Sequence, residues 1–226
     1  MKGIAYGVGV GPGDPELMTV KAIRMIREND IIAVPGKNPK DSAAYKIAEA
    51  ALPEIAKKTL VPINMPMIKD YELLRKEHEK GAKLIESYLN QGKNVLYLTL
   101  GDPTIYSTFT YLKNILETDG YEVEMISGIP SFCAAAAGLN IPLAEWDEKL
   151  HIIPAVHNTD IEFSDKENYV LMKSASHMKE VKEMLCGSKM QVQAVENCGM
   201  ENEKIYRNID EIPDDAGYYS LIIAKT

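Results

Sequence analysis

The sequence predicts an α/β protein of two domains, with a largely parallel sheet in the N-terminal part and a mixed sheet in the C-terminal part. Three observations predict it. Short apolar runs alternate with longer amphipathic stretches up to residue 139, as in repeated strand–helix units. IAYGVGV (4–10) and NVLYLTLG (94–101) are apolar at successive positions, as strands buried on both faces are. Beyond residue 150 four apolar runs share a single helical stretch, the texture of a smaller α+β unit. The connector NIPLAEWDEKL (140–150), with Pro142 and mixed charge, separates the two, giving domains 1–146 and 147–226.

The elements follow in order. IAYGVGV is the first strand. Thr19 can cap a helix through VKAIRMIREN, with Val20, Ala22, Ile23 and Ile26 facing inward. DIIAVP (30–35) is the second strand, stopped by Pro35-Gly36; SAAYKIAEAAL (42–52) is helical and TLVPINM (59–65) extended. In DYELLRKEHEKGAKLIESYLNQG (70–92), Leu73, Leu74, His78, Ala82, Ile85 and Leu89 recur at helical spacing, and Gly92 is a stop. NVLYLTLG is the central strand. A helix over 104–118, a strand in YEVEMIS (121–127) and a helix in PSFCAAAAGL (130–139) complete the domain. HIIPAV, NYVLMKSA, MQVQAVEN and GYYSLIIAKT are the later strands, with a helix at 176–186.

Composition excludes several classes. The chain has 226 residues, 46% hydrophobic and 26% charged, an ordinary soluble globular balance. A net charge of -8 and no Lys/Arg block argue against nucleic acid as a partner. No apolar run approaches a membrane span, and glycine interrupts the N-terminus before a signal-peptide core forms, so no membrane partner is expected. Cys133, Cys186 and Cys198 are odd in number and widely spaced, as reduced thiols of a cytoplasmic protein are. No pair has zinc-site spacing, and His78-Glu79 lacks the second His of a metalloprotease helix, so no protein-bound metal is expected.

Two loops fall at the carboxyl ends of strands, where open parallel sheets bind ligands: GVGPGDPE (9–16) and LGDPTIYSTF (100–109). Both contain Gly-Asp-Pro. Neither fits a dinucleotide or P-loop motif, because Pro12 and Asp14 stand where further glycines belong and no Gly-Lys-Ser/Thr end follows. Carboxylates beside a crevice repel polyphosphate but accept hydrogen bonds from ribose hydroxyls or an ammonium. S-adenosylmethionine offers both, with a sulfonium and no phosphate. Plainer roles compete: Asp14 or Asp102 as helix cap, with Pro15 in a first turn; Ala134–Ala137 as helix–sheet packing; His151 and His157 as structural residues; Leu171 and Met172 as core.

GVGVGPGDPELMT, LTLGDPTIYSTF and GIPSFCAAAAGLNIPLAEWDE resemble signature stretches of the tetrapyrrole methylases. The run of GDPT into IYSTF, with SFCAAAA, is most similar to the branch acting at C-20 of precorrin-2 or cobalt-factor II in cobalamin (vitamin B12) biosynthesis. Similarity runs the whole length and is strongest over 4–20, 98–112 and 126–148.

The resemblance implies a two-domain fold with S-adenosylmethionine in the cleft between domains and a tetrapyrrole acceptor. It implies cofactor contacts from Pro12; from Gly101, Asp102, Ile105 and Tyr106; from Pro130, Ser131 and Phe132; and, as an apolar wall near adenine, from Met172, Ala194 and Ser220 or Leu221. It also implies a homodimer. No catalytic residue is identified; Tyr106, Tyr111 and Asp102 are candidates for orienting roles. Lys37, Lys40, Lys69, Arg75 and Lys173 are either partners for the acceptor's carboxylates or solvated surface charge. The rival readings are a methyltransferase of the same fold for another corrinoid position, uroporphyrinogen or a protein side chain, and a non-catalytic sensor of an adenosyl ligand.

Overall fold

The computed structural model describes all residues except 67, 69, 156–160, 162, 165, 175 and 176. The chain forms two compact units, Met1–Pro130 and Ser131–Thr226.

The first unit holds strands β1 (Ala5–Gly9), β2 (Ile31–Pro35), β3 (Thr59–Ile63), β4 (Val95–Thr99) and β5 (Val123–Ile126). They form a parallel sheet in the order β3-β2-β4-β1-β5, with β4 central as its apolar sequence predicts. Side chains alternate across each strand. Tyr6, Val8, Ile32, Val34, Leu96 and Leu98 pack on one face with α1 (Val20–Glu28) and α2 (Ala43–Ala51). Ala5, Ile31, Ala33, Val95 and Tyr97 pack on the other with α3 (Tyr71–Leu89) and α4 (Phe109–Thr118). Burial on both faces explains why these strands read as continuous apolar runs.

Several local expectations are corrected. Val20 is 84% exposed at the first turn of α1, and Met25 occupies the buried stripe with Ala22 and Ile26. Leu73 is exposed in the first turn of α3, whose buried stripe runs from His78 to Leu89. α4 begins at Phe109, not at 104, because Tyr106 adopts φ +48, which no right-handed helix accommodates. Thr19 does cap α1, accepting from Ala22 N at 3.1 Å. Asp14 caps only the 3₁₀ turn Pro15–Leu17, accepting from Glu16 N at 2.8 Å.

The second unit contains α5 (Ser131–Leu139), β6 (Lys149–Pro154), β7 (Glu167–Met172), α6 (Met178–Cys186), β8 (Gln191–Glu196), β9 (Lys204–Tyr206) and β10 (Ser220–Lys225). Its sheet has the order β6-β7-β10-β8-β9, parallel between β6 and β7 and antiparallel elsewhere. β9, a three-residue edge strand, carries too little apolar pattern to be read from sequence. Tyr169, Leu171, Ala194, Ile222 and Ala224 pack with Met178, Val181 and Leu185 of α6. α5 lies against β8 and β10 and shares nothing with that cluster, so it covers the opposite face. The unit accordingly begins with α5, ahead of the 140–150 connector.

Candidate functional site

The site in the first unit is built where β4, β1 and β5, three neighbouring strands, end in the loops 100–108, 10–14 and 127–130. Glycine brings the three backbones into contact. A Cβ on Gly9 would lie 2.6 Å from both Gly101 O and Gly128 N, and one on Gly128 would lie 2.1 Å from Gly101 O. No side chain fits such spaces. Gly11 and Gly101, both with positive φ, form an antiparallel bridge: Gly101 N donates to Gly11 O at 2.8 Å and Gly11 N to Gly101 O at 3.3 Å.

Asp102 locks this arrangement. It is 7% exposed. Its Oδ1 accepts from Thr104 N at 2.8 Å and from the Thr104 hydroxyl, and its Oδ2 accepts from Gly128 N at 3.0 Å. The carboxylate therefore folds its own loop and ties it to the loop after β5. Beyond it, Ser107 Oγ shares a hydrogen bond with Thr99 Oγ1 at 2.9 Å and accepts from Phe109 N at 3.2 Å. Gly101 to Pro103 are buried, Thr104 and Tyr106 are exposed, and Ile105 between them is half-buried. The glycines serve loop-on-loop packing, and the acid where a third phosphate-loop glycine would stand makes the pair of loops a poor phosphate cradle.

The other sequence-derived residues fall as follows. Pro12 is buried in the first loop and Pro130 half-buried at the end of the third. In the second unit, Ser131 opens α5 and Phe132 is buried on it. Met172 is half-buried at the end of β7, whereas Ala194 belongs to the α6-facing core; strand alternation puts these two side chains on opposite faces. Leu221 pairs with Met172 in register. Ser220 is 4% exposed and its Oγ has no hydrogen-bond partner among the described residues; Ser174, beyond the end of β7, has a buried hydroxyl in the same condition. Buried hydroxyls without a protein partner are rare, and strand alternation places Ser220 on the face of Ile222 and Ala194, opposite Met172.

Among the basic candidates, Lys37 and Lys40 are exposed in the loop after β2, at the same sheet edge as the glycine loops. Arg75 pairs with Glu79 at 3.7 Å on the surface. Lys173 follows β7 with φ +58 and is half-buried, and burial pushes its ammonium pKa down. Tyr111 stacks on His78 at 4.7 Å, and His151 bonds Glu167 at 3.0 Å and stacks on Tyr169, structural roles for both histidines. Lys69 and His157 lie outside the described residues. A shallow hollow of about 880 Å³ between α3 and α4, lined by Lys76, Lys80 and Lys83, contains none of the loop residues. Among the described residues no three His, Cys, Asp or Glu side chains form a group able to hold a metal, and no helix is long and apolar enough to cross a membrane. Gly128, Thr104 and Ser107 went unassigned in the sequence; only the Gly-Ile-Pro after β5 hinted at the first.

Residues 5–213 match the model of the Tetrapyrrole (Corrin/Porphyrin) Methylases. The chain belongs to this family. A Methanocaldococcus jannaschii protein named "Probable cobalt-precorrin-2 C(20)-methyltransferase" is 37% identical over 224 residues, covering 97% of this chain and 95% of that one. The Precorrin-2 C(20)-methyltransferase of Sinorhizobium sp is 29% identical over 98% of this chain and 94% of its own. In fold, the chain is similar to uroporphyrin-III C-methyltransferase from Thermus thermophilus in complex with S-adenosylhomocysteine, with a TM-score of 0.70 at 19% identity over 99% of this chain and 92% of that one.

Proposed function

We propose that this tetrapyrrole methylase transfers a methyl group from S-adenosylmethionine to C-20 of precorrin-2 or cobalt-factor II in cobalamin biosynthesis. The observation that carries the reading is the full-length similarity to two proteins named for that reaction, on a chain whose two Gly-Asp-Pro loops meet at the sheet's carboxyl edge. S-adenosylmethionine supplies an electrophilic methyl on a sulfonium. The chain's own task is alignment and exclusion of water, which asks for rigid loops more than for a strong base. The clamp of Asp102 with Thr104 and Gly128 provides that rigidity.

In the first unit, we assign donor contacts to Pro12, Gly101, Asp102, Ile105 and Pro130, with Tyr106 contributing main-chain atoms. In the second, we assign them to Ser131, Phe132 and Met172, with Ala194 and Ser220 through their backbones because strand alternation puts both side chains on the α6-facing side. Asp102 Oδ2 accepts from Gly128 N, and a carboxylate oxygen has room for a further donor. Lys37 and Lys40 are the basic groups best placed at the loop edge for an acceptor's carboxylates. Family resemblance further supports a cytoplasmic homodimer, which sedimentation of the purified protein tests.

The deciding assay incubates the protein with labelled S-adenosylmethionine and either precorrin-2 or cobalt-factor II, and locates the new methyl by mass and carbon position. Label at C-20 is the expected result. Label elsewhere on the ring, or only in uroporphyrinogen, replaces the reading with a same-fold relative; cofactor binding without transfer to any tetrapyrrole makes the protein an adenosyl-ligand sensor.

A further inference from the structure

We propose that the ring of Tyr106 is a contact for the methyl acceptor: an aromatic platform on which the flat face of the tetrapyrrole stacks. The inference rests on the acceptor class proposed above. Tyr106 has φ +48, a left-handed conformation disfavoured for a bulky residue, and it is nevertheless 44% exposed. The base of its loop, Gly101 to Pro103, is buried, and Tyr106 is the exposed aromatic residue of that loop.

The loop holds it in that state from both sides. On the N-terminal side, Asp102 binds Thr104 and Gly128, and Ile105 N donates to Asp102 O at 3.3 Å. On the C-terminal side, Ser107 is fixed to Thr99 and Phe109 N. Phe109 is fully buried and stacks on Tyr97. An over-determined loop that presents one strained, exposed aromatic residue is the arrangement expected where strain serves binding. The buried stem of the loop is the part that can grip a small polar donor through its backbone. The exposed tip is the part that can meet a second, larger substrate, and a conjugated macrocycle offers the π-face that a phenol ring stacks against.

The test compares wild type with Tyr106→Phe, Tyr106→Ala and Tyr106→Gly. Three quantities are read: S-adenosylhomocysteine affinity by calorimetry, cobalt-factor II binding by absorbance titration, and melting temperature without ligand. Tyr106→Phe should keep acceptor affinity. Tyr106→Ala should lose on the order of tenfold, as expected for one stacked aromatic contact, with S-adenosylhomocysteine affinity within about twofold of wild type. Tyr106→Gly should lose acceptor affinity equally yet melt no lower than Tyr106→Ala, because glycine accepts the left-handed backbone. Unchanged acceptor affinity in Tyr106→Ala overturns the platform, and so does an equal loss of S-adenosylhomocysteine affinity. Failure of the wild-type protein to bind any tetrapyrrole overturns the proposed function instead, and the platform with it.

Discussion

Asp102 and Gly128, on loops that leave two strands separated by β1, are joined by a buried hydrogen bond in which Gly128 N donates to Asp102 Oδ2 at 3.0 Å. With the two bonds from Thr104 to Oδ1, this makes Asp102 a structural clamp as well as a proposed ligand. As a ligand alone, Asp102→Ala would spare unliganded stability. The clamp predicts otherwise: orphaning a buried N–H costs about 1–3 kcal/mol, so Asp102→Ala should lower both urea stability and S-adenosylhomocysteine affinity. Asp102→Asn, whose amide accepts on one side only, should fall between. Wild-type melting in the alanine variant would remove the clamp.

The glycine contacts make a sharper claim. A Cβ on Gly128 would approach Gly101 O to 2.1 Å and the Gly9 backbone to 2.9 Å, all main chain that cannot rotate away. Gly128→Ala should destabilise by about 3 kcal/mol or more, at the upper end of overpacking effects. Gly138, late in α5, is the control: a Cβ there meets nothing within 4 Å, and Gly138→Ala should stabilise by about 0.5–1 kcal/mol. Equal urea midpoints for the two variants would contradict the close approach.

The sequence carries the first sheet almost whole, because strands buried on both faces, such as Val95–Thr99, need apolar side chains at every position. It carries the presence of the two Gly-Asp-Pro loops. It cannot carry what the loops do to each other: Gly9, Gly101 and Gly128 meet through tertiary contact, and no periodicity announces a meeting of backbones. The start of α4 is misread for a related reason. Residues 104–108 have helix-compatible types, but the bonds of Asp102 and Ser107 hold them in a tight loop. Val20 shows the opposite error, an apolar residue at helical spacing that the first turn leaves in solvent.

Helix capping separates two residues that look alike in sequence. Thr19 Oγ1 accepts from Ala22 N in a nine-residue helix and donates to Ser127 O at 3.3 Å, linking α1 to the loop after β5. Asp14 serves one 3₁₀ turn. Thr19→Ala should therefore cost about 1–2 kcal/mol and Asp14→Ala less than about 1 kcal/mol. Denaturant titration of both variants checks the order, and a larger loss in Asp14→Ala would reverse it.

His78 predicts an acid limb in stability. It is 5% exposed between α3 and α4, stacked on Tyr111, and burial pushes its pKa below the ordinary value. The unfolded chain then takes up the proton more readily than the folded one. The stabilisation is complete above the unfolded value, near about 6.5, and is lost as pH falls through the lowered folded value. His78→Phe keeps the stack without the titration. Its melting temperature should decline less than that of wild type between about pH 7 and about pH 5; parallel declines would assign the acid limb to other groups.

Glu196 and Tyr206 form the corresponding pair in the second unit. Burial opposes ionisation of Glu196, but the Tyr206 hydroxyl at 2.9 Å, Gly217 N at 3.1 Å and Lys204 at 3.6 Å outweigh it, and the carboxyl sits below its usual range. Its contribution is present above the unfolded carboxyl value and is lost as pH falls through the lower folded value. Burial and the same carboxylate push the Tyr206 phenol up to about 12, so that contribution holds below the ordinary tyrosine value and is lost as pH rises through the raised one. Tyr206→Phe removes one donor from Glu196 and the titrating phenol together. It should move the acid unfolding transition to higher pH and flatten the alkaline limb above about pH 10. Circular dichroism across both limits reads the two effects in one variant; an acid transition unmoved from wild type would mean that Gly217 and Lys204 hold the carboxylate without the phenol.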